Sequence, residues 1–453
     1  MEFKDFKQLE RILKPSSIRN IFFFKAVKGF SIDSRTLKKE QGYIAIKGRY
    51  QDGHDFIQDA VSKGASFVVA QELRPISRKV PYFVVDNTYN ALFDICRFVR
   101  IKKKPLVVAI TGSVGKSTTK EMLSFLLRER FSVLKNEQTE NNFLGLAKTI
   151  LNLDKQKILI LELGTNSIGE IELLARMSSP DIGVITFIKP VHLQGLKSLE
   201  GVYQEKLSLF KVNKKMKAVL NKDDAYLCRT SLTNRIFWFG KSHTNHLSAA
   251  IIKREKEHIR YLIQGRYELK LPLHQENFLA NILAALLTAK LLKLPLGYSI
   301  RKINCFENIL SMRMQVKSGP KALIINDAYN ANPYSCQQGL KTVGKFNQKK
   351  IAVLADMLEL GSKEVYYHKL LAKELVRNKI DYCLTYGPLM KHLKEQLSQI
   401  GYDRAYHFKS HKSIADFINK KIEEKDIFNK GFLVFLKGSR KMRLEKVLDY
   451  IKF

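Results

Sequence analysis

The chain is poor in cysteine and has no long apolar run. Its five cysteines are scattered at positions 96, 228, 305, 336 and 383, without Cys-x-x-Cys spacing. This pattern argues against a disulfide framework and against a structural zinc site. No stretch is long and apolar enough to span a bilayer, and the N-terminus carries charges where a signal peptide needs an apolar run. We therefore expect a cytoplasmic protein that is not inserted into a membrane.

Acidic residues are also scarce. The chain has 43 Asp and Glu residues against 78 Lys and Arg, which gives a net charge of +35. Such an excess can indicate nucleic-acid binding. However, the densest basic runs, 102–104 and 214–217, are short and lack interleaved aromatic residues. We favour a solvated basic surface that attracts anionic substrates, and we expect no nucleic-acid partner.

The length and the hydrophobic pattern predict an α/β protein with several domains. A chain of 453 residues is long enough for two to four domains. Short apolar runs alternate with helical patterns throughout, which predicts βα units and, in the middle of the chain, a largely parallel sheet. We divide the chain into residues 1–100, 105–312 and 313–453. The charged, proline-ended stretch 101–105 is interpreted as a linker.

The stretch 106–119 has the pattern strand, glycine-rich loop, helix. Its glycines allow backbone N–H groups to approach phosphate oxygens, while Lys116 can reach the terminal phosphates and Ser117 or Thr118 can hold Mg²⁺. The match to the standard P-loop is imperfect, because Gly112 and Gly115 are only three residues apart. An ordinary strand-to-helix turn with a solvated lysine is the alternative.

Several polar residues follow predicted strands. Glu162 ends an apolar strand one βα unit after the loop, which favours a metal ligand over a surface charge. From its position alone, His192 is interpreted as an ordinary loop histidine, and Lys206 is interpreted as a lysine on the surface of a helix. Asp327 follows a later strand and leads into a proline-closed turn.

Two polar clusters occur in the first unit. One is Asp33-Ser34-Arg35, and the other is Lys47-Gly48 followed by Asp52-Gly53-His54. An arginine beside hydroxyl groups and a glycine turn suits a diphosphate. Turn chemistry explains the same residues without a function, and the residues alone favour that explanation.

Taken together, these stretches resemble the Mur ligases of bacterial cell-wall synthesis. The resemblance runs nearly end to end, from Asp33-Ser-Arg35 and Gln51-Asp-Gly-His-Asp-Phe56 through the loop at 111–118 to Lys437-Gly-Ser-Arg440. The short glycine spacing is the family's own form. The resemblance implies three domains: a small N-terminal α/β domain for the UDP-linked substrate, a central P-loop ATPase and a C-terminal Rossmann-like domain.

Two further stretches indicate a branch of the family. Tyr329-Asn-Ala-Asn-Pro333 and Asp356-Met-Leu-Glu-Leu-Gly361 resemble the dipeptide-adding members. The implied reaction phosphorylates the terminal carboxylate of UDP-MurNAc-tripeptide with ATP, after which the amine of D-Ala-D-Ala attacks the acyl phosphate. A carboxylate is a poor acyl donor, so the catalyst must hold anions together and neutralise their charge. ATP and Mg²⁺ are the implied cofactors, and a monomer is expected.

The resemblance also implies roles for the matching positions. The ATP site comprises Thr111, Gly112, Ser113, Gly115, Lys116, Ser117, Thr118, Asn277, Asn281 and Arg313. The metal ligands are Ser117 and Glu162 for one ion, and His192 and a carbamylated Lys206 for the other. The substrate residues are Ser34, Arg35, Lys47, Gly48, Asn141, Asn142, Asn330 and Asn332. The expected catalytic residues are Lys116, His192, Lys206 and Asp327.

Four positions depart from the family pattern. Glu276 stands where a histidine beside adenine is common, Gln194 replaces an acidic residue, Glu205 replaces a small residue and Ala147 replaces a proline. An extra carboxylate at Glu205 could oppose carbamylation of Lys206. None of these changes removes a core catalytic group, so an active enzyme is expected.

Two other functions remain as alternatives. The first is a related Mur or folylpolyglutamate-type ligase that adds a single amino acid. The second is a basic, nucleic-acid-binding P-loop protein, whose ATP turnover would respond to DNA or RNA and fall steeply with salt.

Overall fold

The computed structural model contains three β-sheets that follow one another along the chain. It describes residues 5–77, 79–137, 140–306, 310–319, 321–423 and 431–452. The first four residues of the charged N-terminus lie outside that part of the chain. None of the described helices is both long and apolar enough to cross a membrane.

The first sheet has five strands in the order β1-β5-β4-β3-β2. All neighbouring pairs are parallel except β1 with β5. The strands are β1 (Ser17–Arg19), β2 (Gly29–Ser31), β3 (Gln41–Ile44), β4 (Phe67–Ala70) and β5 (Tyr82–Val84). The helices are α1 (Phe6–Leu13), α2 (Ile57–Ser62) and α3 (Thr88–Lys103), with 3₁₀ turns at Ile21–Phe23 and Gly53–Phe56.

The second sheet has nine strands in the order β14-β13-β12-β11-β10-β9-β6-β8-β7. The strands are β6 (Leu106–Thr111), β7 (Val133–Lys135), β8 (Ile158–Glu162), β9 (Ile182–Ile185), β10 (Lys217–Asn221), β11 (Ile236–Gly240), β12 (Leu247–Arg254), β13 (His258–Ile263) and β14 (Tyr267–Pro272). The helices are α4 (Lys116–Leu127), α5 (Phe143–Leu151), α6 (Glu170–Ser178), α7 (Leu193–Leu196), α8 (Leu199–Leu207), α9 (Leu279–Leu291) and α10 (Leu296–Asn304). The 3₁₀ turns are Ser208–Val212, Leu227–Arg229 and Leu273–Phe278. Strands β6 to β12 pair in parallel, which places the ends of β6, β8 and β10 along one edge.

The third sheet has six strands in the order β15-β16-β20-β17-β18-β19, parallel except for β15. The strands are β15 (Gln315–Ser318), β16 (Ala322–Asn326), β17 (Lys349–Ala355), β18 (Tyr382–Tyr386), β19 (Ala405–Phe408) and β20 (Phe432–Lys437). The helices are α11 (Pro333–Val343), α12 (Glu364–Arg377), α13 (Met390–Gln399) and α14 (His411–Glu423). The 3₁₀ turns are Gly361–Lys363, Arg440–Met442 and Leu444–Asp449.

The prediction that residues 101–105 form a linker is wrong for residues 101–103, which belong to helix α3. Helix α3 continues to Lys103, and Lys104 ends it in a left-handed conformation with φ 49°. Arg100 donates hydrogen bonds to the carbonyls of Ser178 and Ser179 and pairs with Asp181. These contacts hold the end of α3 against the central sheet. The sequence pattern shows the basic residues but not the partners that extend the helix.

The antiparallel extension of the central sheet was also absent from the sequence-based description. Strands β12, β13 and β14 pair antiparallel beyond β11. Burial alternates along β13, which indicates one buried and one more exposed face. Strand β12 contacts helix α9, and β14 contacts α10. The apolar runs at 158–163, 182–188, 218–220 and 236–239, which the sequence predicts as strands of a largely parallel sheet, coincide with β8, β9, β10 and β11.

Candidate active site

The glycines of the 111–118 loop are required by close packing. Gly112 has φ 148° and Gly115 has φ 83°. A Cβ atom at Gly112 would lie 2.0 Å from Thr186 Oγ1, and one at Gly115 would lie 2.0 Å from Asn281 Nδ2. The loop therefore accepts only glycine at both positions. The two glycines pack against Thr186, which follows β9, and against Asn281 of α9, and the loop leads directly into helix α4.

Lys116 and Ser117 lie at the start of α4, where backbone N–H groups are free to bind an anion. Lys116 Nζ donates to the Gly112 carbonyl at 2.9 Å. Burial lowers the pKa of Lys116, and nearby Glu162 partly opposes that effect. Arg313 reaches across from the third domain and donates to Ser117 Oγ at 3.0 Å. The loop is thus in contact with a cation of another domain.

Glu162 is almost fully buried at the end of β8. Its Oε1 accepts from Asn141 Nδ2 at 3.0 Å, and its backbone N–H donates to Asn136. Its Oε2 is buried without a hydrogen-bond partner. The ammonium of Lys120 stands 3.8 Å from that oxygen. A buried, unsatisfied carboxylate oxygen is suited to a cation ligand.

Lys206 lies near the end of α8 and is only 2% exposed. Burial holds the pKa of Lys206 well below its usual range, and nearby Lys116 lowers it further, whereas Glu205 raises it. The Glu205 carboxylate accepts from the backbone N–H groups of Gly169 and Ile171 at 2.7 and 2.8 Å. The departure at Glu205 therefore serves the N-terminus of α6, where a carboxylate is favourable.

His192 precedes α7 and adopts φ 51°. Its Nδ1 hydrogen-bonds Glu359 Oε2 at 2.5 Å, so the third domain contacts this loop as well. The interaction lowers the pKa of Glu359 below its ordinary value.

The two predicted adenine residues have structural partners. Asn281 Nδ2 donates to the Gly115 carbonyl and to Thr119 Oγ1, each at 3.1 Å. Asn277 Nδ2 donates to the Gln338 carbonyl and to Thr342 Oγ1 of α11. Asn281 therefore stabilises the glycine-rich loop by hydrogen bonds, while Asn277 connects the second and third domains.

Glu276, which departs from the family pattern, also spans the domain boundary. Its carboxylate pairs with Arg254 at 3.0 Å and with Lys345 of the third domain. The two cations lower the pKa of Glu276 although burial opposes them. This position therefore carries a charged interdomain contact.

Asp327 is held at the end of β16. Lys437 Nζ pairs with Asp327 Oδ2 at 2.6 Å and donates to the Asn330 carbonyl at 2.8 Å. Asn332 caps α11, because its side chain accepts from the Ser335 N–H at 2.9 Å. Asn332 is thus engaged in helix capping, and its predicted substrate contact remains a prediction.

A cavity of about 1240 Å³ joins most of these groups, and its lining comes from the second and third domains. The predicted residues on its wall are Ser113, Gly115, Lys116, Ser117, Thr118, Asn141, Asn142, Glu162, His192, Lys206, Asn277, Asn281, Arg313, Asp327, Asn330 and Asn332. Thr111 and Gly112 lie behind the wall, where Thr111 Oγ1 donates to the Leu163 carbonyl.

The predicted residues of the first domain are not on this wall. Arg35 is 80% exposed and pairs with Asp33 of its own turn at 2.8 Å. Ser34 is buried, and its carbonyl accepts from Lys63. Lys47 is exposed and lies 4.0 Å from Asp52, beside Gly48. The turn interpretation therefore describes their local contacts.

Sequence reasoning gave no role to three residues of the site. Lys437 holds Asp327, Lys120 faces Glu162, and Glu359 contacts His192. Lys437 and Glu359 belong to two of the motifs by which the chain resembles the Mur ligases, so the sequence could have pointed to both residues. Lys120 follows the loop by one helical turn, which is ordinary for a helix lysine and gave no signal.

Comparison with known proteins identifies the class. Three family descriptions match the chain in order: "Mur ligase family, catalytic domain" at residues 26–97, "Mur ligase middle domain" at 110–289, and "Mur ligase, glutamate ligase domain" at 312–440. A protein from Buchnera aphidicola is 31% identical over 436 residues, covering 94% of this chain and 92% of its own length. The chain belongs to the Mur ligase family.

The similar proteins represent one branch of that family. The Buchnera protein is named UDP-N-acetylmuramoyl-tripeptide--D-alanyl-D-alanine ligase. A crystal structure of MurF from Acinetobacter baumannii matches with a TM-score of 0.87 at 23% identity, covering 99% of each chain. MurF ligase from Thermotoga maritima in complex with ADP matches with a TM-score of 0.82 at 26% identity, covering 94% of this chain and 97% of its own. The three-domain α/β fold is thereby confirmed.

Proposed function

We propose that this chain is an ATP-dependent peptide ligase that joins D-alanyl-D-alanine to UDP-MurNAc-tripeptide in peptidoglycan precursor synthesis. Relatives that cover nearly the whole chain carry this activity in their names. The single structural observation that carries the proposal is the convergence of Lys116, Arg313 and the buried carboxylate of Glu162 on one cavity between two domains. Two cations and a candidate metal ligand there suit a reaction in which a phosphate and a carboxylate must approach each other.

The residues of the loop bind and orient ATP. Backbone N–H groups at the start of α4 receive phosphate oxygens, and Lys116 leaves the Gly112 carbonyl to contact the terminal phosphates. Arg313 stands 3.0 Å from Ser117 Oγ and neutralises charge as the phosphoryl group moves to the carboxylate. Because these groups line a cavity and are partly shielded from solvent, their charges act in a medium of lower dielectric than water. We therefore attribute the rate enhancement to electrostatic stabilisation and to the positioning of the reactants.

Mg²⁺ belongs to the proposal. Glu162 fits a first ion because its Oε2 is buried without a hydrogen-bond partner, and Ser117 fits the same ion. Among the described residues, no three His, Cys, Asp or Glu side chains gather as a metal cluster. We propose that phosphate oxygens and water complete the coordination of this ion. When bound, Mg²⁺ would neutralise phosphate charge and orient the transferred group.

Lys206 suits the proposed carbamate. Burial lowers its pKa, and a carbamate forms from the neutral amine. Carbamylation converts this buried amine, close to Lys116, into an anion that can hold a second ion together with His192. Glu205 is occupied by the N-terminus of α6, so we infer that it tolerates the modification.

The third domain supplies the acceptor side of the reaction. Asn330 lies on the cavity wall near Asp327, and the Asp327–Lys437 pair holds that turn in place. We propose that D-Ala-D-Ala binds there, with its amine towards the acyl phosphate. The domain bounds 1–100, 105–312 and 313–453 belong to the same proposal and agree with the order of the three sheets.

The first domain would bind the UDP end of the substrate through Ser34, Arg35, Lys47 and Gly48. Arg35 is exposed and so is free to exchange Asp33 for a diphosphate. Asn141 and Asn142 lie on the cavity wall and follow the phosphate loop in sequence, directly before α5. Because ATP and UDP-linked precursors are cytoplasmic compounds, we propose a cytoplasmic location.

A substrate assay tests the function. The protein is incubated with Mg-ATP, UDP-MurNAc-tripeptide and either D-Ala-D-Ala or single amino acids, while phosphate release and the mass of the product are followed. We expect phosphate and the extended peptide only with the dipeptide. Turnover with a single amino acid alone would contradict the proposal, and turnover stimulated by DNA or RNA would favour the nucleic-acid alternative.

A further inference from the structure

The segment Asp356–Gly361 of the third domain has no role in the reaction described so far. It follows β17 and lies against the loop that carries His192. A Cβ atom at Gly361 would lie 3.7 Å from the backbone of Gln194 and 4.0 Å from that of Leu193. A family motif that leaves its own domain and packs on the metal-binding loop of another domain requires an explanation.

The segment is anchored at three successive residues. The Asp356 carboxylate accepts from the Met390 N–H at 2.9 Å, and the Met357 N–H donates to His368 Nε2 at 3.0 Å. The Leu358 N–H donates to Ser439 Oγ at 3.0 Å. These contacts fix the backbone just before Glu359, which then adopts φ 66°.

Glu359 extends from this anchored backbone to His192. Its Oε2 lies 2.5 Å from His192 Nδ1, although 167 residues separate the two positions. His192 lines the cavity, whereas Glu359 does not. With Nδ1 occupied by Glu359, Nε2 is the nitrogen that remains for a ligand in the cavity.

We propose that Glu359 is a positioning residue for His192. By accepting from Nδ1–H, it fixes the imidazole tautomer that presents an unprotonated Nε2 to a divalent cation, and it does so only when the third domain is docked. A carboxylate behind a metal-bound histidine orients the ring and strengthens it as a ligand. Docking of the third domain would then complete the metal site of the second.

This inference rests on the proposed function only in taking His192 as a metal ligand. Its consequence is a coupling between domain docking and metal affinity. A contact that served docking alone would hold the domains together without affecting the state of the His192 ring.

The test uses the full chain labelled with ¹⁵N-histidine and its Glu359→Ala variant. His192 signals are assigned with a His192→Gln variant. We expect wild-type ¹⁵N shifts of a fixed Nδ1–H tautomer and, in Glu359→Ala, shifts averaged between tautomers. Mn²⁺ titration followed by electron paramagnetic resonance, with a non-hydrolysable ATP analogue, should show 10–100-fold weaker binding of one ion in the variant.

Two further variants separate positioning from docking. Lys345→Ala breaks the interdomain pair with Glu276 but leaves His192 untouched, so its His192 shifts should match the wild type. Glu359→Gln keeps an acceptor oxygen and should give intermediate Mn²⁺ affinity. Unchanged His192 shifts and unchanged Mn²⁺ binding in Glu359→Ala would overturn the inference. Neither measurement needs the peptide substrates, so failure of the ligase assay is a separate result.

Discussion

The phosphate region of the second domain and the polar turn of the first domain both present cations, but in opposite environments. Lys116 is partly buried and Lys206 is buried, and burial lowers the pKa of each. Arg35 is exposed, and its hydrogen bond to Asp33 raises its pKa. A buried cation costs stability before any ligand binds, whereas an exposed pair costs little. Under the proposed function, the phosphate region is therefore organised before ATP binds, whereas the polar turn of the first domain is organised by its substrate.

The largest expected effect comes from Lys116→Ala. Loss of the cation that faces the terminal phosphates should lower kcat/KM by about 10³-fold or more, in line with other charge-stabilising groups. The measurement is steady-state phosphate release with all three substrates.

Lys155→Ala, at an exposed lysine of the same domain, is the matched control and should behave as the wild type. Near-normal turnover in Lys116→Ala would show that the buried cation does not serve the phosphates. The contrast between the two regions would then lose its functional meaning.

A second large effect is expected for Lys206→Ala. If a carbamate holds a metal ion, the variant should lose about 10²-fold or more in rate, as for removal of one electrostatic group. Small carboxylates such as acetate or formate should restore part of that rate. Full activity of the variant without added carboxylate would show that no carbamate is needed.

The stability of the same variant provides a control for folding. In CO₂-free buffer, Lys206 of the unfolded chain has the ordinary lysine pKa of about 10.4. Burial in the folded chain lowers the pKa of Lys206 well below that value, so the unfolded chain binds the proton more readily. The buried amine therefore destabilises the folded wild type as the pH falls from that value. Lys206→Ala should be more stable relative to the wild type at pH 7 than at pH 10, as measured by thermal unfolding.

The smallest effect is expected for Arg35→Ala. The KM for UDP-MurNAc-tripeptide should rise about tenfold, since one charge-assisted contact to the diphosphate is lost. The kcat and the unfolding temperature should stay unchanged, because the side chain is exposed and contacts only its own turn. Arg11→Ala, another exposed arginine of this domain, should leave KM unaltered; equal effects of both variants would remove the assignment.

Local features of the fold and the site were predictable from the sequence. The strand, glycine loop and helix at 106–119 appear as β6 and α4, because each depends on neighbouring residues. The end of α3 was not predictable from the sequence, because Arg100 stabilises it through contacts to residues about 80 positions away. Likewise, Asn332 matched a substrate position, but only the structure shows it capping α11.

The sequence by itself determined the succession of βα units, the phosphate loop and the family, because these depend on short patterns and their order. Tertiary structure alone decided which distant groups meet. It brought Arg313 into hydrogen-bond contact with Ser117, Asn281 with Gly115 and Glu359 with His192. It also buried Lys206 and so lowered its pKa. Burial and through-space contact arise only when the chain is packed, and no local pattern encodes them.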